Sequence, residues 1–200
     1  MPLSDDSNTT PMPTLTVIIG STRPGRAGLP IAEWFIDRAR QHGGFDVEVA
    51  DLAEIALPLL DEPNHPRLRQ YTQEHTKEWS RRIERADAVV IVTPEYNYGY
   101  PATVKNALDY LHGEWKDKPV GFVSYGGVAA GTRAVQQLKQ VVTTLRMVPV
   151  FESVAIPFHT QFIDAEGRIQ ANEVMEAAAD AMLEELARLE GVLRPLHHAA

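Results

Sequence analysis

Cysteine is absent from this 200-residue chain. Disulfides, thiolate zinc sites, iron–sulfur ligation and cysteine nucleophiles are therefore excluded. A chain without disulfides fits a cytoplasmic setting. No apolar run reaches the ~18 residues that a membrane-spanning helix needs. The opening MPLSDDSNTTPMP has neither the basic start nor the apolar centre of a secretory signal. An excess of positive charge is missing too. Lys and Arg number 19 against 27 Asp and Glu, a net charge of −8. Nucleic-acid binding has no general electrostatic basis here. Neither a membrane nor a nucleic acid is expected as a partner.

What is present suits one ordinary domain. Apolar residues make up 44% and charged residues 23%, enough for a soluble core. Residues 1–13 read as a disordered leader, 14–192 as a single domain and 193–200 as a loose tail. The sequon at Asn8 has no export signal beside it, and His197 and His198 read as part of the tail rather than as metal ligands.

Along the domain, short β-branched runs alternate with helical spacings. LTVIIG (15–20), FDVEVADL (45–52), AVVIVTP (88–94), PVGFVSY (119–125) and MVPVFESVAI (147–156) read as strands. The third is apolar on both faces, as in the middle of a parallel sheet. Residues 29–41, 67–86, 102–111, 132–145 and 172–189 read as helices. Five alternations imply an α/β fold, a parallel sheet with helices on both faces. Ligands of such sheets sit outside the carboxyl ends of the strands. The loops after strands one, three and four therefore belong together.

The first loop, GSTRPGRAG (20–28), is built for an anion. Gly20 and Gly25 permit tight turns, and Gly28 lets the next helix approach. Backbone N–H groups at a helix start favour an anion. Ser21 and Thr22 add hydroxyls, and Arg23 and Arg26 can offset a phosphate. The loop is neither a Walker A motif nor a G-x-G-x-x-G fingerprint. The alternative is an ordinary strand–helix turn with surface arginines. In the second loop Pro94 redirects the chain. Glu95, Tyr96 and Asn97 are then expected to expose successive N–H groups to the edge of a flat heterocycle. Tyr98 and Tyr100 read equally well as aromatic ligand surface or as packing. In the third loop, Gly126 and Gly127 permit close backbone approach to a planar ligand, or form a plain flexible turn.

Three segments together, GSTRPGR (20–26), PEYNYGYPATVKNALDY (94–110) and SYGGVAAGTRA (124–134), resemble the NADPH-dependent FMN reductase family. This family includes quinone, chromate and azo-compound reductases. The stretch 51–63 is family-like as well. The resemblance covers most of residues 14–156, and its most specific part is the PEYN…P…KNALD segment. It implies a flavodoxin-like three-layer sandwich with a five-stranded parallel sheet in the order 2-1-3-4-5. It implies bound FMN, with NADPH or NADH as co-substrate. Ser21, Thr22, Arg23, Gly25 and Arg26 would lie near the phosphate. Pro94, Glu95, Tyr96 and Asn97 would run along the ring, mainly through backbone. Ser124, Tyr125, Gly126 and Gly127 would lie at the ring's other edge. Many relatives carry serine where this chain has Arg26 and Gly99. Arg26 is thus left between the phosphate, NADPH and a neighbouring subunit. Lys105 and Asn106 match the motif in a structural role.

The implied activity is a ping-pong transfer of hydride from NAD(P)H through FMN to a small acceptor: flavin, quinone, azo compound or metal oxyanion. No catalytic side chain and no metal ligand is nominated. Self-association as a homodimer or homotetramer is implied. A flavodoxin-like electron carrier and a binding module without flavin are the alternatives.

Overall fold

A computed structural model describes residues 11–197. Most of the expected leader, the Asn8 sequon and His198 lie outside the described residues. Six strands form one parallel sheet: β1 (Thr14–Ile19), β2 (Asp46–Asp51), β3 (Ala88–Pro94), β4 (Pro119–Gly126), β5 (Val148–Pro149) and β6 (Val154–Pro157). Their order is β2-β1-β3-β4-β5, with β6 also paired to β4. The helices are α1 (Gly28–His42), α2 (Leu52–Ile55), α3 (Glu74–Arg85), α4 (Ala102–Asp109), α5 (Thr132–Thr144) and α6 (Glu173–His197).

The two-residue period of the strands sorts their side chains into two cores. Leu15, Val17 and Ile19 of β1, with Ala88, Val90 and Val92 of β3, face one side. There they pack on Phe35 and Ile36 of α1 and on Met182 and Leu186 of α6. Ile18, Val89, Ile91 and Phe122 face the other, against Trp79 of α3, Leu108 of α4 and Leu138 of α5. Every residue of β3 is buried, which explains its lack of polar alternation. Each buried Val, Ile, Leu, Phe or Met side chain of these cores adds ~1.5–3 kcal/mol on burial. Two helical layers around a parallel sheet in this order make a flavodoxin-like sandwich.

The expected fifth strand is two strands. Pro119 and Val120 pair with Val148 and Pro149, whereas Val123 through Gly126 pair with Val154 through Pro157. Between these stretches the edge chain uses two more residues than β4. It bulges outward and leaves Phe151 exposed. A broken edge of this kind is a poor template for pairing with a further chain.

The helix expected over 67–86 begins later, at Glu74. The Glu62 carboxylate takes the N–H groups of Thr72 (2.8 Å) and Gln73 (2.9 Å). These bonds satisfy the donors just before α3 and end the preceding loop there. Burial opposes ionisation of Glu62, but the bonds from Thr72 and Gln73 prevail and lower its pKa to about 2. At the other end, α6 continues to His197, so residues 193–197 of the expected tail are helical. An i,i+4 pair between Arg194 and Glu190 (2.7 Å) extends it.

Candidate functional site

The order of the strands reverses between β1 and β3, and the crevice at that switch point is where such sheets bind ligands. Three helices start there: α1 after β1, α4 after β3 and α5 after β4. None has a side-chain cap, and none carries an acidic residue in its first turn. Each of the other three has an acid in its first turn: Glu54 in α2, Glu74 in α3, and Glu173 and Glu176 in α6. At α5 the Arg133 N–H already donates to the Glu95 carboxylate (3.3 Å), whereas the starts of α1 and α4 meet no carboxylate among the described residues and keep their positive ends open to an anion.

The first loop supplies further donors. The backbone N–H groups of Ser21, Thr22 and Arg23 make no hydrogen bond among the described residues. Thr22, Arg23 and Gly25 are exposed, and Gly25 takes φ +67° to turn the chain. Gly28 is buried under the Tyr125 ring. A Cβ on Gly28 would lie 2.4 Å from the Tyr125 hydroxyl, so only glycine lets α1 start so close to β4. Burial, then the neighbouring Tyr96, pushes the Tyr125 phenol well above its ordinary pKa. The first and second loops touch directly, since Ser21 Oγ lies 2.8 Å from the Tyr96 hydroxyl. Thr103 of α4 adds a bond from its hydroxyl to the Gly20 carbonyl at 2.6 Å.

Arg26 turns away from the crevice. Its guanidinium forms a fork with the Asp51 carboxylate at 2.6 and 2.5 Å, and it donates to the Ser21 carbonyl at 2.7 Å. Asp51 ends β2, on the side of β1 opposite the switch point, and also accepts from the Ala53 N–H at 2.9 Å. Arg26 therefore braces the first loop against β2. Arg23 is the cation of that loop without such a partner among the described residues.

The second loop corrects an expectation. Pro94 pairs in register with Tyr125 at the end of β3. The Glu95 N–H donates to the Tyr125 carbonyl (3.2 Å) and the Tyr96 N–H to the Gly99 carbonyl (2.8 Å). Of the three successive donors expected to be open, only that of Asn97 has no partner among the described residues. Asn97 and Tyr98 both have positive φ, 50° and 73°, and make a two-residue turn closed by the Tyr96–Gly99 bridge. Tyr100 packs on the second core. Tyr98 is exposed, with the Arg133 guanidinium 3.7 Å from its ring centre. Arg133, in the first turn of α5, also donates to the buried Glu95 carboxylate at 2.6 Å. Glu95 thus ties the second loop to the third.

In the third loop the Ser124 hydroxyl is committed to the Ala130 carbonyl at 2.9 Å. The Tyr125 side chain lies under α1, so of this group only Gly126 and Gly127 present backbone toward the crevice mouth. Asn106 clasps the long connection after α2. It donates to the Pro58 carbonyl (2.6 Å) and accepts from the Leu60 N–H (2.9 Å), the structural role expected of it. Sequence reasoning missed Asp51, Arg133 and the segment after β6, whose His159 stands edge-on to Tyr125 at 5.1 Å. Asp51 left a signal, an acid at a strand end in a family-like stretch. His159 left none.

The strand order and the two flanking helical layers define a flavodoxin-like α/β protein whose switch-point crevice offers donors unpaired among the described residues. The sequence profile of the NADPH-dependent FMN reductase family matches residues 13–161. An NAD(P)H-dependent FMN reductase of Schizosaccharomyces pombe is 44% identical over 149 residues, 72% of this chain and 74% of its own. An FMN-dependent NADPH-azoreductase of Staphylococcus saprophyticus is 28% identical over 70% of this chain and 74% of its own. FerB, a flavoenzyme NAD(P)H:(acceptor) oxidoreductase of Paracoccus denitrificans, has the same fold. Its structure superposes with a TM-score of 0.72 at 24% identity, over 90% of this chain and 98% of that one. The chain belongs to the NADPH-dependent FMN reductase family.

Proposed function

We propose that this protein is an FMN-dependent oxidoreductase that carries reducing equivalents from NAD(P)H to a small acceptor. The FMN phosphate lies over Ser21, Thr22, Arg23 and Gly25 at the start of α1. Its ring runs along Pro94, Glu95, Tyr96 and Asn97 toward Gly126 and Gly127. The observation that carries this reading is the pair of uncapped, acid-free helix starts of α1 and α4 at one crevice, with the first two loops joined by the Ser21–Tyr96 contact. Those donors fit a phosphate at one end and a flat ring with polar edges along the rest.

When bound, FMN supplies the redox chemistry, accepting hydride from the nicotinamide and yielding it to the acceptor. The protein's part is to bind and orient. Ser21 and Arg23 fix the charged tail. The Glu95–Arg133 pair and the Asn97–Tyr98 turn fix the wall along the ring. No protein nucleophile is required. Nicotinamide and acceptor need the same open face, so they bind in turn, in a ping-pong order. Free flavins, quinones, azo compounds and metal oxyanions are acceptors of the right kind. Exposed Tyr98, Val128 and Phe158 beside the crevice suit a neighbouring subunit in a homodimer or homotetramer.

The test begins with the visible spectrum of the purified protein after incubation with FMN. Anaerobic stopped-flow mixing with NADPH follows, then an acceptor panel. A bound yellow flavin that bleaches with NADPH and recovers with an acceptor is expected. A protein that stays colourless would refute the reading, and a flavin that NADPH does not bleach would make it an electron carrier. Light scattering reads the assembly, and a strict monomer would remove the proposed subunit contact.

A further inference from the structure

The turn between β4 and α5 is held from its side by two residues that follow β6. The Phe158 N–H donates to the Gly127 carbonyl at 3.3 Å. His159 Nδ1 lies 3.2 Å from the Gly126 carbonyl oxygen. A carbonyl oxygen only accepts, so Nδ1 carries the proton and the tautomer is fixed. The imidazole is further held by its edge-on contact with Tyr125, at an interplanar angle of 72°. Phe158 adopts φ +46°, a left-handed conformation uncommon for an aromatic residue, and the chain there doubles back on the glycine turn.

The consequence follows from the planarity of the peptide. In a trans peptide the N–H points opposite to the C=O, and there is no cis peptide bond among the described residues. The Gly126 carbonyl faces His159 and the Gly127 carbonyl faces Phe158. The N–H groups of Gly127 and Val128 therefore point the other way. Neither makes a hydrogen bond among the described residues, and both residues are exposed. Two donors are thus aimed in advance: His159 holds the Gly126 carbonyl, and Phe158 shares the Gly127 carbonyl with the Ala130 N–H at 3.0 Å.

We infer that Phe158 and His159 are positioning residues that direct the Gly127 and Val128 amides at the acceptor atoms on the edge of the flavin ring. The inference rests on the proposed FMN site. The pyrimidine edge of a flavin carries two carbonyl oxygens and N1, which accept, beside an N3–H that donates. It becomes more electron-rich on reduction, so donors fixed beforehand favour the reduced ring.

The test uses full-length ¹⁵N-labelled protein titrated with FMN, followed by measurement of the bound flavin's reduction potential. In the wild type, the Gly127 and Val128 amide signals are expected to shift together with those of Ser21, Thr22 and Arg23. His159→Phe keeps a ring against Tyr125 but loses the donor. It should lose the Gly127 shift and lower the potential by about 30 mV, a tenfold loss of preference for the reduced flavin. His159→Gln keeps a donor and should stay close to the wild type in both readings. A wild-type titration that moves residues 21–23 and leaves Gly127 and Val128 in place overturns the inference alone. So does His159→Phe behaving as the wild type, or, if that variant does not fold, His159→Gln losing the Gly127 shift. A titration that moves none of these signals overturns the FMN site itself.

Discussion

Ser21 and Tyr96 stand 75 residues apart in the chain, and their hydroxyl oxygens lie 2.8 Å apart in the fold. Ser21 is buried and Tyr96 is partly exposed, so the bond anchors the exposed second loop to the buried end of β1. Tyr96→Phe should weaken FMN binding by ~0.5–1.5 kcal/mol, the net value of a neutral hydrogen bond. In a Ser21→Ala background the same change should cost nothing. Flavin-fluorescence titration of the four proteins reads the cycle. A full Tyr96→Phe penalty in both backgrounds would show that the two hydroxyls act separately.

The two arginines of the first loop are expected to part company. Arg23→Ala should weaken FMN binding by ~1.5–3 kcal/mol, as for a charge-assisted bond, and leave riboflavin binding unchanged. Arg26→Met removes the partner of a buried carboxylate, so it should destabilise the fold by ~3–5 kcal/mol and weaken FMN and riboflavin alike. The double variant Arg26→Met/Asp51→Leu should recover most of that stability. Burial works against ionisation of Asp51, but the Arg26 bond and the Ala53 N–H outweigh it and hold its pKa below the usual value. The folded pKa is the lower one, so the pair's contribution is complete above the unfolded pKa and is lost on acidification through the folded pKa. Denaturant melts from neutral to acid pH would show a steeper loss of stability in the wild type than in the double variant, where Glu62 and the other carboxylates still contribute. A selective loss of FMN over riboflavin in Arg26→Met would instead put that guanidinium on the phosphate.

Gly28 offers a purely steric test. A Cβ at this position would meet the Tyr125 hydroxyl at 2.4 Å and the ring carbon bearing it at 3.3 Å. Gly28→Ala should cost ~1–3 kcal/mol of stability through overpacking. Tyr125→Phe removes the nearer atom and should return part of the loss in the double variant. Thermal melts decide the matter, and an unchanged melting temperature in Gly28→Ala would mean that α1 shifts freely at its start.

The layers and the strand order were legible because they depend on local pattern. AVVIVTP announces a doubly buried strand, and Ile31, Ala32, Phe35, Ile36 and Ala39 announce one face of α1, all buried as expected. The glycines, hydroxyls and arginines of the first loop suggest an anion, and its Ser21, Thr22 and Arg23 amides, unpaired among the described residues, are compatible with that reading. What escaped depends on pairing across the chain. MVPVFESVAI looks like one strand, and only its register against β4 splits it. Residues 67–73 look helical, but the chain turns left-handed at Arg69 (φ 51°), and the Glu62 carboxylate takes the Thr72 and Gln73 donors. Arg26 looked free until Asp51, 25 residues on, took its charge. His159 carries no motif at all, because its partner is a backbone carbonyl that any residue could present.

Lys118 gives the pH response of the fold a testable sign. It sits just before the head of the buried run of β4, almost wholly buried itself, and its ammonium donates to the Ile83 carbonyl near the end of α3. Burial lowers its pKa to about 8, against the opposing pull of Asp87, Glu84 and Glu114. The unfolded chain therefore binds more protons than the folded one between about pH 8 and the ordinary lysine value near 10.4. Stability should rise with pH across that interval, with a slope of at most about 1.4 kcal/mol per pH unit, and should be flat in this respect below it. The half-buried phenol of Tyr71 and the buried phenol of Tyr125, raised above their ordinary range, and Tyr110, raised to about 12, work in the opposite direction. They do so only above about pH 10, which leaves a clean window for the lysine. Lys118→Met should remove the rise, because methionine fills the same space without a charge to bury. Urea melts of both proteins at about pH 7, 8, 9 and 10 make the comparison across that window. A wild type whose stability falls over the lower half of the window would mean that the α3 carbonyls and the three carboxylates hold the ammonium more firmly than burial expels it.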